Sequence, residues 1–167
     1  MISIDTVLTA AHCVLGVRAE NLIVLVGMHS RAGITRENVA FVRSLTYNTN
    51  FKLESLQNGY DVALIKLKSG VVLSSKVQIA CLPSSANDFA SVYNKLVVAI
   101  GWGRTKNGAP MYLQQTALKV SNTDAQTECA SIPFNRNNIY CLKDKTTRVS
   151  STCFGKMRSK IKLKLAS

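Results

Sequence analysis

Residues 60–67 read YDVALIKL, and how this stretch is read decides the fold. After Asp61 every residue except Lys66 is apolar. β-Branched and aliphatic residues in a run of this length predict a buried strand. Asn58-Gly59, just upstream, is a turn signal, so the strand starts where the chain reverses. An acid at the mouth of such a strand is costly unless its carboxylate is hydrogen-bonded. Asp61 therefore either caps the turn after Asn58-Gly59 or serves a partner elsewhere in the chain.

Similar short apolar runs extend in both directions. TVLTAA, NLIVLVG, NVAFVRSLTY, VVLSSKVQIACL, KLVVAIGW and LQQTALKV are separated by Gly, Asn, Ser or Pro, as at Pro83-Ser84-Ser85 and Asn107-Gly108-Ala109-Pro110. Many short strands with regular turns predict an all-β barrel or sandwich. Helical signal is confined to Asn122–Ala130, with Ser121 or Asn122 as the cap. The polar stretch SSANDFASVYN, Ser84–Asn94, is the expected linker between two halves.

The chain of 167 residues can bury a real core, and 47% hydrophobic residues exclude wholesale disorder. The net charge of +12 resembles a nucleic-acid signature. Yet five of the 21 basic residues lie after Gly155, where there is no acid, which leaves 16 basic against 9 acidic residues and +7 for the rest. No nucleic-acid or membrane partner is expected. No apolar run approaches the roughly 20 residues of a transmembrane helix, and MISIDTVLTA lacks the pattern of a signal peptide. The five cysteines, at 13, 81, 129, 141 and 153, show no CxxC spacing, so neither a zinc ribbon nor a redox pair is expected.

Two further stretches carry chemistry. In TAAHC, Thr9–Cys13, a partly buried His12 at a strand end can shuttle protons near neutral pH. His12 beside Cys13 also suggests a metal pair, but adjacent residues rarely point at one ion, and no metal site is expected. His29 is read as structural. In AIGWGRT, Ala99–Thr105, Gly101 and Gly103 flank the only Trp, read as a tight turn around an aromatic anchor.

TAAHC, DVALIKL, ACLP (Ala80–Pro83) and GWGRT, in this order and spacing, resemble the chymotrypsin/trypsin family of serine endopeptidases from about Ile2 to Gly155. The resemblance implies two packed antiparallel β-barrels with the active site between them, both incomplete in this chain. Residues 1–84 would form part of the first barrel, 85–95 the linker and 96–155 part of the second, with 156–167 a basic tail outside the family pattern. It implies His12 as general base and Asp61 as the acid that holds its imidazole in one tautomer. Gly155 matches an oxyanion-hole donor, and Ser151 the floor of the specificity pocket, where it favours neutral side chains. Cys129 and Cys141 match a family disulfide, and Cys81 matches a position that ties many members to a propeptide. Cys13 and Cys153 match cysteines whose partners lie outside this chain. Polypeptide substrates, secretion and no cofactor are implied.

The chain departs from the family at its nucleophile. Cys153-Phe154-Gly155 opens the serine motif, but Lys156-Met157 follows, and Met157 stands in the nucleophile's place. A thioether cannot attack a carbonyl as an alkoxide does. The chain is therefore expected to be an incomplete, inactive form, truncated at both ends. Codons for Gly155-Lys156 can read GGTAAG, the usual start of an intron, so the run beyond is expected to be translated intron. Two alternatives are a non-catalytic homologue acting as a binding or regulatory module, and a polyanion-binding polypeptide using its tail.

Overall fold

The apolar run in YDVALIKL becomes one strand, Ala63–Leu67, with Ala63, Ile65 and Leu67 buried and Leu64 and Lys66 turned outward. The expectation of a fully buried strand is corrected here. A strand presents alternate residues to opposite faces, only one face meets the core, and Leu64 remains 37% exposed. The computed structural model describes residues 1–84, 92–105, 107–121, 135 and 138–144. These form two compact units: Met1–Leu56 with Tyr60–Leu82, and Gln57–Gly59 with the described residues from Pro83 on.

The first unit holds β1 (Thr6–Thr9), β2 (Ile23–Leu25), β3 (Val39–Tyr47) and β4 (Ala63–Leu67). They form one antiparallel sheet in the order β1-β4-β3-β2. β3 serves two neighbours in succession: Val39–Phe41 pair with β2, and the remainder pairs with β4. Between these duties the register slips, because Val42 faces Leu67 while Ser44 faces Lys66. Arg43 is the extra residue, and its guanidinium donates to the Leu67 carbonyl at 3.3 Å. A bulge of this kind increases twist and bends the strand, so the sheet curls around its apolar face. That face is filled by Ala11, Val14, Val42, Phe51, Ala63, Ile65 and Leu67.

The second unit holds β5 (Leu96–Gly101), β6 (Gln114–Val120) and β7 (Leu142–Asp144), antiparallel in the order β5-β6-β7. Its core is smaller: Val97, Leu118 and Val120 pack with Tyr93, Tyr140 and Leu142, the two tyrosine rings meeting edge-on at 6.0 Å. Gln57–Gly59 join this unit through Asn135, whose N–H donates to the Gln57 carbonyl, and Asn138, whose amide donates to the Asn58 carbonyl at 2.8 Å. Gly59, at φ +79, leaves room for Asn138, since an added Cβ would lie 2.5 Å from that side chain's own Cβ.

The described residues contain strands and short 3-10 turns and no α-helix, an all-β arrangement as expected. Three details differ. The run from Val71 to Leu82 forms no strand beyond a single bridge between Ser74 and Val77. Val71 and Ala80 instead donate to the carbonyls of Ile4 and Met1, and Val72 is 87% exposed, so the run has no consistent buried face. The turn expected at Gly101-Trp102-Gly103 falls later, where Thr105 and Gly108 exchange backbone hydrogen bonds and Gly108 has φ +103. β7 leaves almost no strand signal in the sequence, because two of its three residues are Lys143 and Asp144. The helix expected at 122–130 lies outside the described residues.

Leu67 is completely buried at the bulge, in contact with the core from β4. L67A should destabilise the chain by about 2–5 kcal/mol, a large share of a typical stability of about 5–15 kcal/mol. Urea unfolding monitored by circular dichroism reads this directly, and a loss below about 1 kcal/mol would show that the core does not depend on β4.

Candidate active site

The site grows out of the β1–β4 register. Pairing runs from Thr6↔Lys66 to Thr9↔Ala63, and two further residues along each strand would bring Ala11 opposite Asp61. There β1 gives way to the 3-10 turn Ala11–Cys13. Ala11 is wholly buried and anchors the turn in the core, so His12 emerges beside Asp61. The His12 backbone N–H donates to Asp61 Oδ1 at 2.9 Å, and His12 Nδ1 meets Asp61 Oδ2. One carboxylate thus holds both the main chain and the ring of His12. The two side chains are 14% and 26% exposed, respectively.

This arrangement determines the chemistry of the ring. An ionised carboxylate only accepts, so Nδ1 must carry the hydrogen. Proton exchange is left to Nε2, the orientation that general-base chemistry requires. On the other side of the ring, Cys13 Sγ lies 3.4 Å from His12 Nε2. The chain approaches Asp61 through Tyr60, which has φ +61, a left-handed conformation unusual for an aromatic residue. The Val62 N–H donates back to the Tyr60 carbonyl at 2.7 Å and tightens this bend.

A second acid secures the register that makes the site. Asp5, just before β1, accepts from Ser3 Oγ at 2.7 Å, Thr6 Oγ1 at 2.8 Å and Lys66 Nζ of β4 at 3.3 Å. The hydrogen bonds from Ser3 and Thr6, followed by the Lys66 ammonium, pull its carboxyl down from 3.8 to about 2. Nothing in the sequence pointed to Asp5. Its only signal was a pair of hydroxyl residues flanking an acid at a strand start, a pattern shared by many turns.

The Trypsin family model matches residues 1–156. A fibrinolytic enzyme, isozyme C, of Lumbricus rubellus is 30% identical over 151 residues, which cover 86% of this chain and 61% of that protein. The chain belongs to the trypsin family of serine proteases, with its all-β, chymotrypsin-like fold. It spans less than two thirds of the length of this relative.

The structure brings together two of the residues singled out in the sequence, His12 and Asp61. Ser151, Gly155 and Met157, with Cys129, Cys153 and the tail 156–167, lie outside the described residues. Cys141 is buried and disulfide-bonded. Cys13 and Cys81 are exposed free thiols. His29 is exposed and takes no part in the His12–Asp61 contact. Among the described residues no three His, Cys, Asp or Glu side chains form a metal-binding group, and no helix is long and apolar enough to cross a membrane.

Because the Asp5 carboxyl is lowered in the folded chain, its contribution is fully present above the unfolded carboxyl value near 3.8 and is lost as pH falls toward about 2. Thermal melts should therefore show a drop in midpoint across that window that is smaller in D5N. Identical pH profiles for D5N and the parent would contradict the role given to Asp5.

Proposed function

We propose that this chain carries the general-base part of a secreted serine endopeptidase and, with Met157 in the nucleophile's place, does not cleave peptides by acyl transfer. The observation that carries the proposal is the double hold of Asp61 on the His12 main chain and ring. It places the hydrogen on Nδ1 and frees Nε2 to accept a proton from a hydroxyl nucleophile. In such a reaction His12 would take that proton and return it to the leaving amine, while Asp61 stabilises the imidazolium. Without the serine the expected loss is on the order of 10⁶-fold in turnover. Gly155 would contribute one oxyanion donor, and Ser151 a pocket floor for neutral side chains.

Several observations support the remaining assignments. The family match ends at Lys156, which favours reading 156–167 as a tail outside the family pattern. The two compact units part between Leu82 and Pro83, which favours a linker at 85–95 between residues 1–84 and 96–155. The disulfide at Cys141 favours a Cys129–Cys141 bridge and an oxidising, extracellular setting. The exposed thiol of Cys81 is accessible to a propeptide cysteine. The Lumbricus relative is named for fibrinolysis; for this chain we assign polypeptide substrates as a class, with no cofactor.

A fluorophosphonate probe, which labels only activated serines, tests the proposal. The purified chain should show no labelling and no hydrolysis of fluorogenic peptides above that of H12A. Stoichiometric labelling abolished by H12A would show that another serine serves as the nucleophile, and would overturn it.

A further inference from the structure

We propose that Asn138 is a positioning residue for Asp61 and, through Asp61, for the ring of His12. It acts by holding the short strap Gln57–Gly59, which delivers the chain to the acid. The strap belongs to the second compact unit, whereas the next two residues, Tyr60 and Asp61, belong to the first. The link from Asn138 to the acid is therefore the peptide chain itself, with only Gly59 and Tyr60 between Asn58 and Asp61.

The strap is fixed at consecutive residues. The Asn135 N–H donates to the Gln57 carbonyl at 2.7 Å, and the Asn138 side-chain amide donates to the Asn58 carbonyl at 2.8 Å. Gly59 lies so close to Asn138 that an added Cβ would stand 2.5 Å from the Asn138 Cβ. Beyond the acid, the Val62 carbonyl accepts from the Asn48 N–H at 3.1 Å. Between these holds, Gly59 and Tyr60 both have left-handed backbones, at φ +79 and +61. Glycine adopts that conformation freely, but a residue with a Cβ is disfavoured there by a factor of about 5–30. Such a residue stays in place only while its surroundings over-determine it. With one hold released, Tyr60 relaxes, and its neighbour Asp61 loses the aim of its carboxylate at His12.

Asn138 is exposed and belongs to neither apolar core, so its bond to Asn58 acts locally. The role needs a donor, which an aspartate of the same size cannot supply, because an ionised carboxylate only accepts. The inference rests on the general-base reading of His12 for its meaning in catalysis: the strap sets how firmly Asp61 keeps the hydrogen on Nδ1. The hold on the strap itself stands on the hydrogen bonds and backbone angles alone.

The solvent exchange rate of the His12 Nδ1 hydrogen, read by proton NMR in the purified full chain, is the test. That hydrogen exchanges through local opening of the contact with Asp61, far faster than the chain unfolds, so a change in global stability alone does not move it. Loss of a hydrogen bond of ordinary net strength should speed the exchange about 2–12-fold in N138A. N138D should match N138A. Q78A, which removes a comparable exposed amide bond to the Ser74 carbonyl, should keep the parent rate. Y60N places a residue that tolerates the left-handed region at the bend, and Y60N/N138A should exchange more slowly than N138A. The proposal is overturned if N138A or N138D keeps the parent rate, if Q78A accelerates exchange equally, or if Y60N brings no recovery. A parent signal that N138A leaves unchanged overturns this proposal alone, whereas absence of the Nδ1 hydrogen from the parent overturns the general-base reading with it.

Discussion

A carboxylate at the edge of an apolar core must find donors, and Asp61 finds two on a single residue forty-nine positions away in sequence, the backbone N–H and the ring Nδ1 of His12. This contact links folding to chemistry. The hydrogen bonds that make burial of the acid tolerable are the ones that select the tautomer of the histidine. Losing either partner would leave the other with an unmet polar group, a cost of about 1–3 kcal/mol or more for a charged one. The lone pair on Nε2 is therefore a consequence of how the first unit folds.

Everything that positions this contact lies in the strand pairing around it. Asp61 reaches His12 because Thr9 pairs with Ala63, and that register is held from the other end by Asp5 bridging the start of β1 to Lys66 on β4. β4 is in turn held by β3, whose bulge at Arg43 curls the sheet and aims Val42 and Leu67 into the core. A slip of one residue would turn Ala63, Ile65 and Leu67 to solvent, so the core itself penalises any register that separates the pair. Ala11, fully buried one residue before His12, fixes the turn from the opposite side.

The parts of this arrangement that depend on local pattern could be read directly from the residues. Strands β1 to β6 each lie within an apolar run bounded by turn residues, and His12 and Asp61 stood out through their motifs. What could not be read depends on tertiary placement. The bulge at Arg43 leaves no mark in a run of β-branched residues. Val71 to Leu82 has strand composition, yet the Val71 and Ala80 N–H groups donate to carbonyls near the N-terminus while those of Ser74 and Val77 donate to each other's carbonyls, so composition misled there. β7 is too short to announce itself.

The central claim, that Asp61 fixes the His12 tautomer, is open to one direct measurement. Nitrogen-15 NMR of the histidine rings, at a pH where His12 is neutral, distinguishes a protonated ring nitrogen from one bearing a lone pair. The account predicts a protonated Nδ1 and a lone-pair Nε2 for His12, with that distinction lost in D61N. Shifts averaged between the two tautomers, or a hydrogen on Nε2, would contradict it.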